Sequence, residues 1–421
     1  MTSGRRLVPL TIMISLLAWA TAQASFAVSL WKPRLWPAGV ALVVLGGITP
    51  LIYAVNLRVL PLFSGRNWRS PRLLLLTLVF AQSAWLVFLG RAGLGGTVEA
   101  VGAAGCLSAA LVFAYATGGP VRTPPAPGAA ARVSQKHVHG DTTGRRFVKL
   151  AGVYLLVGLG LGLALCFWRP GGGRWELVWA HALLVGWFLS MVSGVCYHVL
   201  PRWSRRGWRR PWLLRLHFLL IAFGLPVMLL ALALDAAPLF AVAGPLEAAA
   251  LVIFVWNILP LALDLPRLTR FGLVAAGLLL ALGVSLGALM AVAPAWQPRL
   301  HQTHAELNLF GWAGLLVSGF GYYLFPRLAG RPLRHPRLAA LQLGALLAGV
   351  LLSASAWYAY VEGIVAARWP IVAGSALAAA GLLGFGLLMG STFLDGRARL
   401  AGRHQAATVG GRQTVGDATR T

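Results

Sequence analysis

The sequence predicts an all-α polytopic membrane protein of twelve transmembrane helices, arranged as three pseudo-threefold repeats of four helices each. Three observations predict it. First, 58% of the residues are hydrophobic and 11% are charged, with a mean hydropathy of +0.75. That is more apolar surface than a water-soluble globule can bury. Second, the apolar residues fall into twelve runs, 7–31, 35–63, 73–89, 97–117, 148–168, 177–200, 212–234, 239–263, 271–292, 302–325, 338–360 and 371–393. Each run, at about 17 to 29 residues, is long enough as a helix to cross a hydrocarbon core of ~30 Å. Third, one stretch recurs three times.

Span 1 combines Arg5 and Arg6, an apolar core and a small-residue AQAS stretch, so it also has the layout of a signal peptide. Its length favours retention as a membrane helix. If alternate loops lie on opposite sides, Lys32, Arg34, Arg91, Arg169, Arg174, Arg299 and Arg368 share one side, and the other 29 of the 36 Lys and Arg share the side of the N-terminus. Cations collect in cytoplasmic loops, so both termini are expected in the cytoplasm, with the protein in the inner membrane. The net charge of +26 is therefore a topology signal, and nucleic acid is not an expected partner.

The proline-rich segment 118–147 is expected to be a flexible cytoplasmic linker with His137 and His139 in solvent, and the polar tail 395–421 is expected to be disordered. Cys106, Cys166 and Cys196 all fall inside spans, where a thiol packs as a small apolar group.

The repeat is clearest between Trp179–Pro211 and His304–Pro336. At an offset of 125, Gly186, Trp187, Ser193, Gly194, Tyr197, Pro201, Arg202, Arg209 and Pro211 meet identical residues. A third copy, Val59–Pro71, matches Val199–Pro211 at an offset of 140 through Leu60, Pro61, Ser64, Arg66, Trp68, Arg69 and Pro71. Each copy puts its motif on the second helix of four and the basic loop after it. The units are therefore residues 1–117, 148–263 and 264–394, parallel because each has an even number of spans.

Ionisable groups inside a bilayer are costly and suggest function by default. His181 on span 6 and His301 and His304 at the head of span 10 lie near the outer face. Under the 125 offset His304 falls two residues from His181, a height difference of about 3 Å. Imidazole nitrogen is a common ligand of haem iron and copper, so these three are candidate cofactor ligands, with His181 and His304 the candidate metal pair. Interfacial hydrogen bonding accounts for an outer histidine as well.

Glu306 is the acid of this block, suited to receiving a proton, orienting a histidine or forming a simple ion pair. Asn308, one turn from His304, is placed to hold its ring. Trp187 and Trp312 are placed either to pack against a flat cofactor or simply to fill the core. Tyr197, His198, His217, Tyr322 and Tyr323 gather at the inner end, and Glu99 and Glu247 are further buried acids. No phosphate loop and no C-x-x-C-H haem attachment sequence occurs, so any haem is non-covalent.

His181, the HAELNLFGW run at His304–Trp312 and the YxLFPR run after it together resemble the haem-copper oxidase subunit I superfamily and its small divergent members. The FSGRNWRSP segment is similar to a loop of NnrS proteins, membrane haem and copper proteins linked to nitric oxide stress. The resemblance implies twelve helices in three groups of four, haem b, with copper as a second cofactor, and a respiratory redox partner. It makes His301 and His304 candidate haem ligands and His181 a candidate copper ligand. Span 2 carries no histidine and span 7 no His-His pair, so full dioxygen reduction coupled to proton pumping is not implied. The expected function is respiratory electron transfer or nitric oxide or oxygen chemistry. A transporter or sensor using Glu99, Glu247 and Glu306 without haem, and an assembly factor for a respiratory complex, are the alternatives.

Overall fold

The computed structural model describes the backbone of residues 4–64, 68–117, 135–168, 173–204 and 206–416. Among them there are helices, turns and loops and no strand. Twelve helices are long and apolar enough to cross a membrane: α1 Val8–Val28, α2 Leu35–Asn56, α3 Arg72–Leu94, α4 Gly96–Thr117, α5 His137–Leu165, α6 Arg174–Trp203, α7 Pro211–Leu234, α8 Ala237–Ala262, α9 Arg267–Val292, α10 Pro294–Ala329, α11 Pro336–Val361 and α12 Val365–Thr392. All twelve expected spans are present.

Two boundaries differ from expectation. The helix containing α5 starts at Gln135, so 135–147 are helical and carry His137 and His139 with them, whereas 118–134 lie outside the described residues. The extension is anchored by Asp141, which accepts from Arg202 at 2.8 Å and contacts His198 Nδ1 at 2.7 Å, and by Phe147, which is fully buried. At the other end the helix containing α12 runs to Gly416, past the boundary expected at 394, and 417–421 lie outside the described residues.

Burial divides the twelve into two classes. In α2, α6 and α10, 83%, 72% and 83% of the most apolar window lies inside the protein, against 28–67% in the other nine. Three central helices are thus surrounded by nine that also face lipid, and α1 packs on α12 to close the ring. A helix apolar on every side is stable only when surrounded, and the two clearest copies of the recurring motif, from Trp179 and from His304, begin on two of these central helices.

Each central helix also contains a π-helical segment, Leu42–Ile48, Ala182–Leu189 and Leu307–Trp312. The offsets of 140 and 125 superpose the three, with Gly46, Gly186 and Gly311 at one position. A π turn has a looser i→i+5 ladder and is rare outside functional sites. One of its carbonyls, at Leu309, accepts from Trp19 Nε1 of α1 at 3.1 Å, and Trp187 Nε1 donates to Thr49 of α2 at 3.1 Å. Deeper in the bundle Tyr197 Oη meets His217 Nδ1 at 2.7 Å and Tyr322 Oη donates to Gln342 at 2.8 Å, two pairs that the 125 offset also superposes.

Candidate functional site

The candidate residues lie on α6 and α10, which touch through Phe188 and Trp312, and on α9, which meets His304. On α6, His181 Nδ1 lies 2.8 Å from the Leu177 carbonyl one turn earlier. On α10, His304 Nδ1 lies 2.7 Å from the Gly283 carbonyl of α9. A carbonyl oxygen only accepts, so in both rings Nδ1 carries the proton and Nε2 keeps its lone pair. That is the state in which an imidazole ligates a metal, with the outer hydrogen bond fixing ring and tautomer.

The His304 ring reaches α9 because the helix is bare there. A Cβ on Gly287 would sit 2.8 Å from His304 Cε1, and one on Gly283 would sit 2.4 Å from Asn308 Nδ2. Two glycines one turn apart make the flat face against which His304 and Asn308 lie. Asn308 was expected to hold the His304 ring. It donates to the His304 carbonyl at 2.8 Å, and its Nδ2 also stands 3.4 Å from Nδ1 of the ring.

His304 is within electrostatic reach of both His181 and His301. His301 nevertheless faces another way. Its ring meets Trp36 of α2 edge-on, with centroids 5.9 Å apart, and it hydrogen-bonds the backbone of Gln297 and Pro298. The side it faces is filled: Phe26 lies tilted against Trp36 with centroids 3.9 Å apart and packs edge-on against Phe310 at 5.0 Å. The two offsets align Gly39 of α2 with Trp179 and His304, and a Cβ at Gly39 would sit 2.9 Å from Phe26. The copy without a histidine thus places an aromatic side chain of α1 against its glycine.

Glu306, fully buried, turns away from the histidines. Its Oε1 accepts from Gln23 Nε2 of α1 at 2.5 Å, Gln23 also donates to Ser375 of α12 at 3.1 Å, and Ser375 and Ser353 of α11 are 3.2 Å apart. The Glu–Arg or Glu–His pair considered from sequence is replaced by an amide and two hydroxyls from three other helices. Trp187 and Trp312 are core residues: Trp312 packs against Phe188 at 4.8 Å and Trp187 lies 6.3 Å from Tyr53.

Glu99, which had no partner by sequence, accepts from Arg91 Nε at 2.9 Å, and Arg91 Nη1 also donates to Glu176 of α6 at 2.9 Å. The guanidinium lies 4.9 Å from the Trp179 ring, so the second copy uses the position of His304 for a cation–π contact.

Among the described residues there is no group of three or more His, Cys, Asp or Glu that would hold a metal. The donor set at α6 and α10 is therefore two imidazoles with available Nε2 atoms. Imidazole nitrogen is donor chemistry that iron and copper accept, and aromatic side chains fill the space beside His301. Sequence reasoning missed Gln23, Ser353, Ser375, Gly283 and Gly287. The lone amide in an apolar span 1 and the glycine pair spaced by four on span 9 were the signals.

No protein-family model and no curated protein matches the sequence. Among solved structures, a haem-copper terminal oxidase, described as a dimer, aligns over 92% of this chain and 84% of its own, with a TM-score of 0.64 and 14% identity. The chain has the haem-copper oxidase fold. At that identity the likeness establishes architecture and leaves activity to be argued from the site.

Proposed function

We propose that this chain is an integral membrane haem-binding protein of the haem-copper oxidase type, acting in respiratory electron transfer or in nitric oxide or oxygen chemistry. The observation that carries the reading is the pair of fixed tautomers. His181 and His304 both spend Nδ1 on a backbone carbonyl and keep Nε2 for a ligand, on two central helices. His181 and His304 would hold a b-type haem, with copper as the second candidate metal and His301 as a third candidate ligand. Such a group, when bound, supplies one-electron exchange.

The protein's own part is positional. The Leu177 and Gly283 carbonyls orient the rings, Gly287 keeps α9 out of the way, and Phe26 with Trp36 keeps water and lipid from the side facing α2. Glu306, held by Gln23, leaves the outer head of α10 with no competing carboxylate at the imidazoles. The coincident π segments and the paired Tyr197–His217 and Tyr322–Gln342 contacts support a threefold repeat. The charge bias supports cytoplasmic termini, an inner-membrane location and a redox partner or respiratory subunit there. The likeness of FSGRNWRSP to NnrS proteins is what favours nitric oxide. The solute-path alternative is less well supported, since Glu99 is clamped by Arg91 and Glu306 by Gln23.

The test is absorption spectroscopy of protein purified after expression with ample haem, oxidised and dithionite-reduced, with metal analysis. A Soret band with about one iron per chain is expected. His181→Ala/His304→Ala is expected to lose more than about nine-tenths of it, and His301→Ala to retain it. A protein with no Soret band overturns the haem reading, and copper without iron moves the site to copper. A band unchanged in the double variant overturns the ligand assignment.

A further inference from the structure

A shallow surface groove lies at the basic end of the bundle, where α7 begins at Pro211 and α8 ends at Ala262. Its two halves differ in chemistry. The loop between α6 and α7 contributes Arg206, Arg209 and Arg210, and the helix faces contribute Leu213, Trp256 and Leu261. Arg206 is paired with Asp264 at 3.1 Å, whereas among the described residues Arg209 and Arg210, both exposed, have no ion-pair partner. The apolar half does not close on itself. Trp256 is 61% exposed, and Trp212, at the start of α7, is 57% exposed, so this wall continues into the surface that meets lipid.

We infer that this groove is a binding site for an anionic phospholipid, whose phosphate lies against Arg209 and Arg210 and whose acyl chain runs along the exposed indole of Trp256. Uncompensated guanidinium groups at the headgroup level attract and chelate a phosphate. A site for a soluble anion has no use for a tryptophan wall open to the bilayer core. An indole at the interface suits the boundary between headgroup and chain. The site uses none of the histidines of α6 and α10, so it stands whether or not those residues hold haem.

Native mass spectrometry of the detergent-purified full chain tests it, with phosphatidylglycerol and phosphatidylcholine of matched chains and inorganic phosphate as a competitor. Phosphatidylglycerol is expected to bind at least about tenfold tighter than phosphatidylcholine and to withstand millimolar phosphate. Arg209→Gln/Arg210→Gln is expected to weaken phosphatidylglycerol about 30-fold, each cation contributing roughly fivefold. Arg334→Gln/Arg337→Gln, the same charge change around the start of α11, is expected to leave it unchanged. Equal binding of the two lipids, an equal loss in the second variant pair, or displacement by inorganic phosphate would each overturn the assignment.

Discussion

Arg91→Met is expected to destabilise the protein by about 3–5 kcal/mol, the cost of leaving buried charge without its partner. Arg91 bridges Glu99 of α4 and Glu176 of α6 while its guanidinium covers Trp179, so one side chain ties the first unit to the second. The side chains of Arg91 and Glu99 are 6% and 3% exposed, so solvent cannot replace the lost cation. Arg91→Lys retains a charge but offers a point where the fork reached both carboxylates, and an intermediate loss is expected. Arg91→Met/Glu99→Gln/Glu176→Gln removes the charges together and is expected to recover most of the stability. Denaturant unfolding in detergent of the four proteins checks this, and a cost below about 1 kcal/mol for Arg91→Met would contradict a buried network.

Gly319→Leu is expected to be as damaging by a steric route. A Cβ at Gly319 would sit 3.1 Å from Gly272 Cα, and one at Gly272 would sit 2.7 Å from Gly319 Cα, so α9 and α10 touch backbone to backbone. No side chain there can swing aside, so the helices must separate. Gly319→Ala is expected to cost about 1–3 kcal/mol, as overpacking does, and the leucine more. Separation also carries Gly283 and Gly287 away from His304, so ligand occupancy is expected to fall together with the melting temperature. A leucine variant with wild-type stability would show that the two helices do not depend on this contact.

Particular residues show how far the sequence was legible. His181 and His304 were found because an ionisable ring in an apolar span stands out and a repeat offset gives its depth. Asn308 was placed beside His304 by its spacing of four, but spacing along one helix does not say which atoms meet, and its shorter bond goes to the His304 carbonyl. The Gly283 carbonyl that holds the ring belongs to a different helix and leaves no mark in the local pattern. Arg91 was read as a loop charge marking the outer side, although its side chain folds back between α4 and α6. His301 and His304 were treated together, yet three residues on an α-helix differ in direction enough to face α2 and α9 respectively.

By itself the sequence determined the solvent of this protein and the number and approximate placing of its spans, and it supplied the recurring stretch and a common level for the histidines as expectations. Those properties follow from hydropathy, from a helical rise of about 1.5 Å per residue and from residue identity at fixed offsets, all local along the chain. The tertiary structure decided which helices are central, which buried charge finds which partner, and which imidazole nitrogen is left for a ligand. These are matters of contact between segments up to 352 residues apart, as Gln23 and Ser375 are. Inside a bilayer each polar group must find its partner within the protein, and packing alone selects it.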